Sequence, residues 1–221
     1  MSNQSAPPRA SAEETRILRD LACRKADILA RPDIAERVRL WKRHNALAQE
    51  RPMLLVFPEG GWEDLISADD SLRCRCSDPL LRGIEQEISK ELYAFEHFAT
   101  DNVPSPSICV PKAISNTGWG VEARWEMSGE ERGARRFDPV IAGESDLDKM
   151  RFPEVAHDEE ASRQRFDAVR EIFDGTLPVE LAGIRHVSFH LFSQWTALRG
   201  LEEVLIDMIA EPEFTLSLIH I

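Results

Sequence analysis

Residues 78–98 read DPLLRGIEQEISKELYAFEHF, and this stretch decides the fold class. Its apolar residues recur at helical spacing as Leu80, Ile84, Ile88, Leu92 and Phe95. Asp78 is a favoured N-cap residue, and Pro79 suits the first turn of a helix. The pattern predicts an amphipathic helix that begins at Pro79 and ends at about Phe98, with one face in a core.

Short apolar segments before and after this helix predict strands. Residues 53–57 form a continuous apolar run closed by Pro58, which is typical of a strand buried on both faces in a parallel sheet. Residues 108–110 and 177–183 are two further strand candidates. Because the spacing leaves room for a helix between successive strands, the order is that of an α/β fold.

Further helices are predicted on either side of these strands. Ser11 and Glu14 form a capping-box pattern that opens the first helix. A second helix is predicted to begin at Pro32 or Asp33 and to end near Arg51-Pro52. Later helices are predicted over residues 158–173 and 201–209.

The charge balance bears on the class of partner. The 221 residues carry 39 acidic and 27 basic side chains, a net charge of -12. This charge repels phosphate backbones and anionic lipid, and no basic cluster offsets it locally, so we expect neither nucleic acid nor membrane as a partner. The four cysteines show no disulfide framework and the N-terminus shows no secretion signal, so we expect the cytoplasm.

The two ends of the chain set the domain prediction. Residues 1–10 are polar and proline-containing, and we expect them to be disordered. The C-terminal stretch begins a helix at Leu201 and ends in an apolar run. We therefore expect a fragment with a partial domain over 11–216. Residues 217–221 resemble translated adaptor sequence, and we interpret them as a non-native tail.

A succession of spaced signatures resembles the N-terminal part of the uroporphyrinogen decarboxylase-like superfamily, which includes the corrinoid-dependent methyltransferases. The resemblance runs from about Ala22 to Phe214. It rests on RLW at 39–41, RP at 51–52, the helix at 80–98, FDPVI at 137–141, SDLDKMRFP at 145–153, LPV at 177–179 and LRGLEEVL at 198–205.

The resemblance implies a (β/α)8 TIM barrel with its site at the C-terminal ends of the strands. Such a barrel takes about 250 residues, and only about three core strands are predicted here, besides a half-exposed strand over Val121 to Trp125. We therefore expect an incomplete (β/α)8 barrel, the N-terminal part, preceded by helices and without turnover on its own.

Two reactions of the superfamily compete. A decarboxylase binds a porphyrinogen with many carboxylates and presents arginines near its first strand, whereas residues 57–64 read FPEGGWED and would repel a polyanion. The methyltransferase branch lacks that basic site, and its members move a methyl group between a small substrate and a corrinoid on a partner protein. Methyl transfer is therefore the first hypothesis. Several members also bind zinc through one His and two Cys in a C-terminal half that this chain does not include.

Glu59 and Glu180 are the predicted catalytic residues. Glu59 follows the first strand candidate and could act as a general acid or base, or orient an amine-bearing substrate. A solvated loop carboxylate is the equal alternative. Glu180 lies inside the third strand candidate, where a charge is costly unless it is paired or faces the site.

Trp62, Asn116, His186, His190 and Trp195 are the predicted substrate-binding residues. Trp62 could cover a ligand, although packing under its loop is the favoured alternative. Asn116 lies in a turn-forming stretch that could approach a ligand, with ordinary turn chemistry as the alternative. His186 and His190 have the spacing of one helical face, but we assign no metal to them because the glutamate of the zinc-protease pattern is missing. Trp195 could line the same opening.

Three functions stay open at this point. The first is methyl transfer with a corrinoid protein as partner, and the second is decarboxylation of a tetrapyrrole carboxylate. The third is a barrel without chemistry that serves as a binding module, because a fold alone does not confer activity.

Overall fold

The computed structural model describes residues 7–129, 133, 135–184 and 190–220, and shows a mixed α/β chain that is mainly helical. The helices are α1 (Ala12–Leu29), α2 (Pro32–Asn45), α3 (Gly61–Ala68), α4 (Pro79–His97), α5 (Glu159–Phe173), α6 (Leu191–Arg199), α7 (Leu201–Ala210) and α8 (Pro212–His220). The strands are β1 (Ile108–Pro111), β2 (Ala113–Asn116), β3 (Arg124–Met127), β4 (Arg135–Asp138), β5 (Val155–Asp158) and β6 (Val179–Ala182). Short 3₁₀ helices cover Asp70–Leu72 and Glu144–Lys149. None of the described helices has the length and apolar character needed to traverse a bilayer.

The chain divides into two compact units. The first unit comprises Met1–Ala113 and Glu159–Gly183, and the second comprises Ile114–Asp158 and Ile184–Ile221. The described strands form three two-stranded sheets, and these sheets do not close into a barrel. Each unit is described by itself below.

The helix starts in the first unit follow the predicted capping chemistry. The Ser11 side chain accepts a hydrogen bond from the Glu14 backbone N–H at 3.2 Å, and Glu14 Oε2 accepts from the Ser11 N–H at 2.7 Å. Asp78 Oδ1 accepts from the Leu80 N–H at 2.9 Å. These side chains pair backbone donors that the first helical turn leaves free, which confirms the predicted starts of α1 and α4.

The core of the first unit lies between its long helices and a pair of parallel strands. Strand β1 pairs with β6 in parallel register, with Ile108 opposite Val179. This confirms two of the three strand candidates. The buried apolar cluster contains Leu18, Ala22, Ile28, Ile34, Cys76, Leu81, Ile84, Ile88, Leu92, Ile108, Val110, Val169, Ile172, Phe173 and Leu177. Most of the predicted stripe of α4 is therefore a core face.

The prediction of a buried strand over residues 53–57 is wrong. This segment has no strand assignment, and Leu54 and Phe57 are 55% and 72% exposed. A continuous apolar run is typical of a strand buried on both faces, but the run itself does not specify which residues cover it. Leu54 instead bonds Asp101, which follows α4: the Leu54 N–H donates to the Asp101 carboxylate, and the Asp101 N–H donates to the Leu54 carbonyl.

The second helix also ends earlier than predicted. Helix α2 begins at Pro32 as expected and ends at Asn45 rather than near Arg51. Leu47 adopts a φ of 57°, a left-handed conformation that turns the chain out of the helix. The residues from Leu47 to Arg51 therefore form the connection between α2 and the segment at 53–57.

The second unit is organised around the start of α7. Strands β3 and β4 form an antiparallel pair. Arg199 donates to both carboxylate oxygens of Asp207 at 2.8 and 3.0 Å and to the Ala142 carbonyl at 2.9 Å. Gly200, between α6 and α7, has a φ of 84°, and a Cβ there would lie 3.4 Å from the Phe137 carbonyl. The conformation and the close approach both favour glycine.

Candidate functional site

A cleft of about 400 Å³ in the first unit is a candidate site among the described residues. It is lined by residues 56–59, by Trp62 of α3, by one face of α4 and by residues 102–104. We call it the Glu59 cleft. It has the size of a small-molecule site, with apolar and aromatic walls and a few polar groups.

Asp101 holds two walls of the Glu59 cleft together. Its carboxylate accepts two hydrogen bonds from Arg51, at 2.6 and 2.9 Å, and one from the Leu54 N–H at 2.8 Å. The Trp41 indole N–H donates to the Asp101 carbonyl at 2.8 Å. These bonds hold the pKa of Asp101 at about 2, chiefly through Arg51 and then through the Leu54 N–H. An ionised, well-bonded carboxylate therefore fixes residues 51–54 against the loop that carries Asn102.

Glu59 lies at the turn that enters α3. The Gly61 N–H donates to the Pro58 carbonyl at 2.8 Å, and the Trp62 N–H donates to the Glu59 carbonyl at 3.2 Å. Glu59 has a φ of 49°, which is uncommon for a residue with a side chain. The turn places its exposed carboxylate on the cleft wall. Strain of this kind is a reason to suspect function.

Trp62 lines the same cleft, so the structure brings two of the predicted site residues together. Its ring lies 6.1 Å from both Tyr93 and Phe98, measured between ring centroids. The Lys90 ammonium lies 5.4 Å from the centroid of the Trp62 ring. Trp62 therefore packs against α4 and the residue that follows it, and also forms part of the cleft wall.

A buried ion pair joins α1 to the face of α4 that lines the cleft. Lys25 of α1 is 1% exposed, and its ammonium lies 2.6 Å from Glu91 Oε2. The other oxygen of Glu91 accepts from the Ser105 N–H at 2.9 Å. Glu91 lines the cleft while its charge is balanced from within the core.

Asn102 is a cleft residue that the sequence prediction missed. Its Oδ1 is buried and makes no hydrogen bond with the described part of the chain. The residue lines the Glu59 cleft. The sequence indicated only the exit of the α4 helix. The sequence prediction also missed Lys90 and Glu91. A signal for Glu91 was present, because it lies between the buried Ser89 and Leu92, at the border of the core face of α4.

Glu180 does not share the Glu59 cleft. It lies in β6 opposite Cys109 of β1, its residue is exposed, and it is not among the residues that line the cleft. A carboxylate in this strand is tolerated because the strand face that carries it is solvated. Of the two predicted catalytic carboxylates, Glu59 lines the cleft and Glu180 does not.

The remaining predicted residues that the structure describes belong to the second unit. Asn116 Oδ1 accepts from the Gly118 N–H at 2.8 Å, which is ordinary turn chemistry. His190 is exposed and immediately precedes α6. Trp195 Nε1 is buried and finds no hydrogen-bond acceptor among the described residues. His186 lies outside the described residues.

The described residues provide no cluster of three or more His, Cys, Asp or Glu side chains that could hold a metal ion. Cys76 is buried, and burial together with a hydrogen bond to Glu85 raises the pKa of its thiol to about 12. Cys74 and Cys76 are therefore best described as parts of the packing around the start of α4.

Comparisons with protein-family models, with curated proteins and with solved structures found no match to this chain.

Proposed function

We propose that the chain is part of an enzyme of the uroporphyrinogen decarboxylase-like superfamily that moves a methyl group between a small substrate and a corrinoid protein. In this proposal the Glu59 cleft binds the small substrate. The observation that carries it is the composition of the cleft, which combines an apolar and aromatic lining with carboxylates rather than arginines. The sequence signatures at 39–41, 137–153 and 198–205 support the proposed membership of the superfamily.

The parallel pairing of β1 with β6 supports a barrel. Parallel strands need a crossover connection, and α5 immediately precedes β6 and packs on both strands. A helix laid on a parallel pair is the repeating element of a (β/α)8 barrel.

The charges of the cleft disfavour a polycarboxylate substrate. Among its lining residues, Glu59 and Glu91 are anionic and Lys90 is cationic. A tetrapyrrole with many carboxylates requires several cationic partners, and bidentate arginines serve best. The decarboxylation hypothesis therefore receives no support from this cleft.

The volume of the cleft supports a chain that binds the small substrate while a partner protein carries the corrinoid. A volume of about 400 Å³ suits a small molecule and is too small for a corrin macrocycle. This agrees with a corrinoid that is carried by a partner protein. The corrinoid supplies the cobalt that gives or takes the methyl group. Glu59 holds or accepts the proton of the substrate heteroatom, and Trp62 covers the apolar part of the substrate. Zinc fits no set of described side chains, so we derive no step through it.

Equilibrium dialysis of the full chain tests this proposal. The chain is dialysed against methylcobalamin in one arm and against coproporphyrin, a polycarboxylate tetrapyrrole, in the other. The proposal predicts saturable binding of methylcobalamin at the mouth of the Glu59 cleft, where the partner would present the corrinoid, and weaker binding of coproporphyrin. Preferential binding of coproporphyrin would favour decarboxylation, and binding of neither would favour the non-catalytic module.

A further inference from the structure

We propose that the Glu59 cleft selects a small organic ammonium ion with an apolar body, such as a primary alkylamine or arylamine. This inference rests on the proposed function only in taking the cleft as the substrate site. It adds the chemical class of that substrate.

The polar groups of the cleft are mainly hydrogen-bond acceptors. Glu59 and Asn102 contribute acceptor oxygen atoms, the oxygens of Glu91 are engaged by Lys25 and Ser105, and Lys90 contributes the one charged donor among the lining residues. A ligand rich in donors therefore complements this lining better than a ligand rich in acceptors. An ammonium group has three donors and no acceptor.

Asn102 has the strongest requirement for such a ligand. Its buried Oδ1 has no hydrogen-bond partner in the described part of the chain, and an unpaired buried carbonyl is costly. In this proposal the Asn102 amide turns toward the cleft and Oδ1 accepts from a ligand N–H, which removes the cost. A carboxylate ligand leaves Oδ1 unpaired and adds a repulsive oxygen nearby.

The charge of Glu91 is already balanced, which leaves Glu59 as the anionic partner. Lys25 lies 2.6 Å from Glu91 Oε2, and the Ser105 N–H occupies the other oxygen. The exposed Glu59 carboxylate, by contrast, sits on a strained turn between Pro58 and Gly60. A positive φ is strained for a residue with a side chain, so Glu59 carries its carboxylate at a conformational cost.

The aromatic walls suit the apolar body of the ligand. Trp62 and Phe95 both line the cleft. The Lys90 ammonium lies 5.4 Å from the Trp62 ring centroid, and the Arg31 guanidinium lies 4.9 Å from that of Phe95. These contacts take up one face of each ring, so the rings serve the apolar body and the ligand charge is left to Glu59.

Isothermal titration calorimetry on the full chain tests the inference with three probes of one shape: benzylamine, benzyl alcohol and benzoate. At pH 7 benzylamine is the ammonium ion. We expect benzylamine to bind about tenfold more tightly than benzyl alcohol, the factor of one charge-assisted hydrogen bond at a partly exposed site. We expect benzoate to bind most weakly.

Two variants locate the interaction. Glu59→Gln keeps the size of the side chain and should remove the preference for benzylamine over benzyl alcohol. Glu63→Gln makes the same charge change in α3, outside the lining residues, and should retain the preference. Asn102→Leu should weaken benzylamine and benzyl alcohol alike, because both donate to Oδ1.

Tighter binding of benzoate, or a benzylamine preference that survives Glu59→Gln, would overturn the inference. Binding of none of the three probes would overturn it as well. If methylcobalamin still bound in dialysis, the proposed function would stand with another substrate class. If only benzylamine bound, the substrate class would stand without the corrinoid.

Discussion

The Arg51 guanidinium and the Asp101 carboxylate form two parallel hydrogen bonds, from Nη1 to Oδ2 at 2.9 Å and from Nη2 to Oδ1 at 2.6 Å. The pair joins the segment that leads to Glu59 with the loop that carries Asn102. The Leu54 N–H adds a third bond to the same carboxylate. The shape of the Glu59 cleft therefore depends on a pair of residues that lie just outside it.

The Arg51–Asp101 pair predicts a loss of stability in acid. The pKa of Asp101 falls from 3.8 to about 2 on folding, chiefly through Arg51. The folded state therefore binds fewer protons than the unfolded state, and the stabilisation is complete above pH 4 and lost as the pH falls toward 2. We expect Asp101→Asn to lower the free energy of unfolding at pH 7 by about 1 kcal/mol and to flatten its slope between pH 4 and 2.

Urea denaturation at a series of pH values measures this effect. Asp20→Asn is the control, because Asp20 is exposed on α1 and its nearest cation, Arg16, is 3.9 Å away. An unchanged acid slope in Asp101→Asn would show that the pair does not tie the two segments together.

The buried pair of Lys25 and Glu91 predicts strong coupling between α1 and α4. Glu91→Gln leaves the Lys25 charge, at 1% exposure, without its partner, and we expect a cost of about 3–5 kcal/mol in the free energy of unfolding. We expect the double variant Lys25→Met with Glu91→Leu to be much closer to the wild type, because it removes both charges and keeps the volume.

A double-mutant cycle by urea denaturation checks this prediction. Arg24→Met with Glu96→Leu is the matched control, because that pair also joins α1 to α4 at 2.9 Å but is half exposed. We expect its coupling to be about 1 kcal/mol or less. Equal coupling in the two cycles would refute the special role of burial.

Cys76 is predicted to be inert to thiol reagents in the folded protein. It is 1% exposed, and its pKa of about 12 leaves about one thiolate in ten thousand at pH 8. Cys23 is exposed and should react first. Timed alkylation with iodoacetamide, read by mass spectrometry of peptides, measures the order. Labelling of Cys76 as fast as Cys23 without denaturant would contradict the packing described around α4.

Arg199 is predicted to be irreplaceable by lysine. Its planar guanidinium bonds both oxygens of Asp207 and also the carbonyls of Ile141 and Ala142. An ammonium cannot reproduce that set of fixed directions. We expect Arg199→Lys to lower the free energy of unfolding of the second unit by about 2–3 kcal/mol.

Hydrogen exchange of the α7 amides reports the Arg199→Lys effect locally. Arg163→Lys is the control, since Arg163 is exposed on α5 and pairs with Glu160 one turn away. Retention of wild-type protection in α7 by Arg199→Lys would show that charge alone suffices.

Local chemistry was predictable from the sequence, and long-range assembly was not. The helix starts at Ser11, Pro32 and Asp78 depend on residues within one turn, so their patterns predict them. The apolar run at 53–57 is exposed because its environment depends on distant residues. The sequence suggested Glu59 and Trp62 as site residues.

Asn102 and the Lys25–Glu91 pair could not be recognised in the same way. Lys25 and Glu91 lie on different helices, and their contact follows from how α1 packs on α4. The missing hydrogen bond of Asn102 is a property of the folded loop. No local pattern reports either feature.

Side-chain NMR of the full chain during titration with benzylamine tests most directly that the Glu59 cleft is the ligand site. The account predicts that the Trp62 indole N–H and the Asn102 side-chain amide shift with one binding curve. Trp119 and Asn116, in the second unit, serve as internal references and should stay in place. Shifts of Trp119 or Asn116 with Trp62 and Asn102 unmoved would contradict the account.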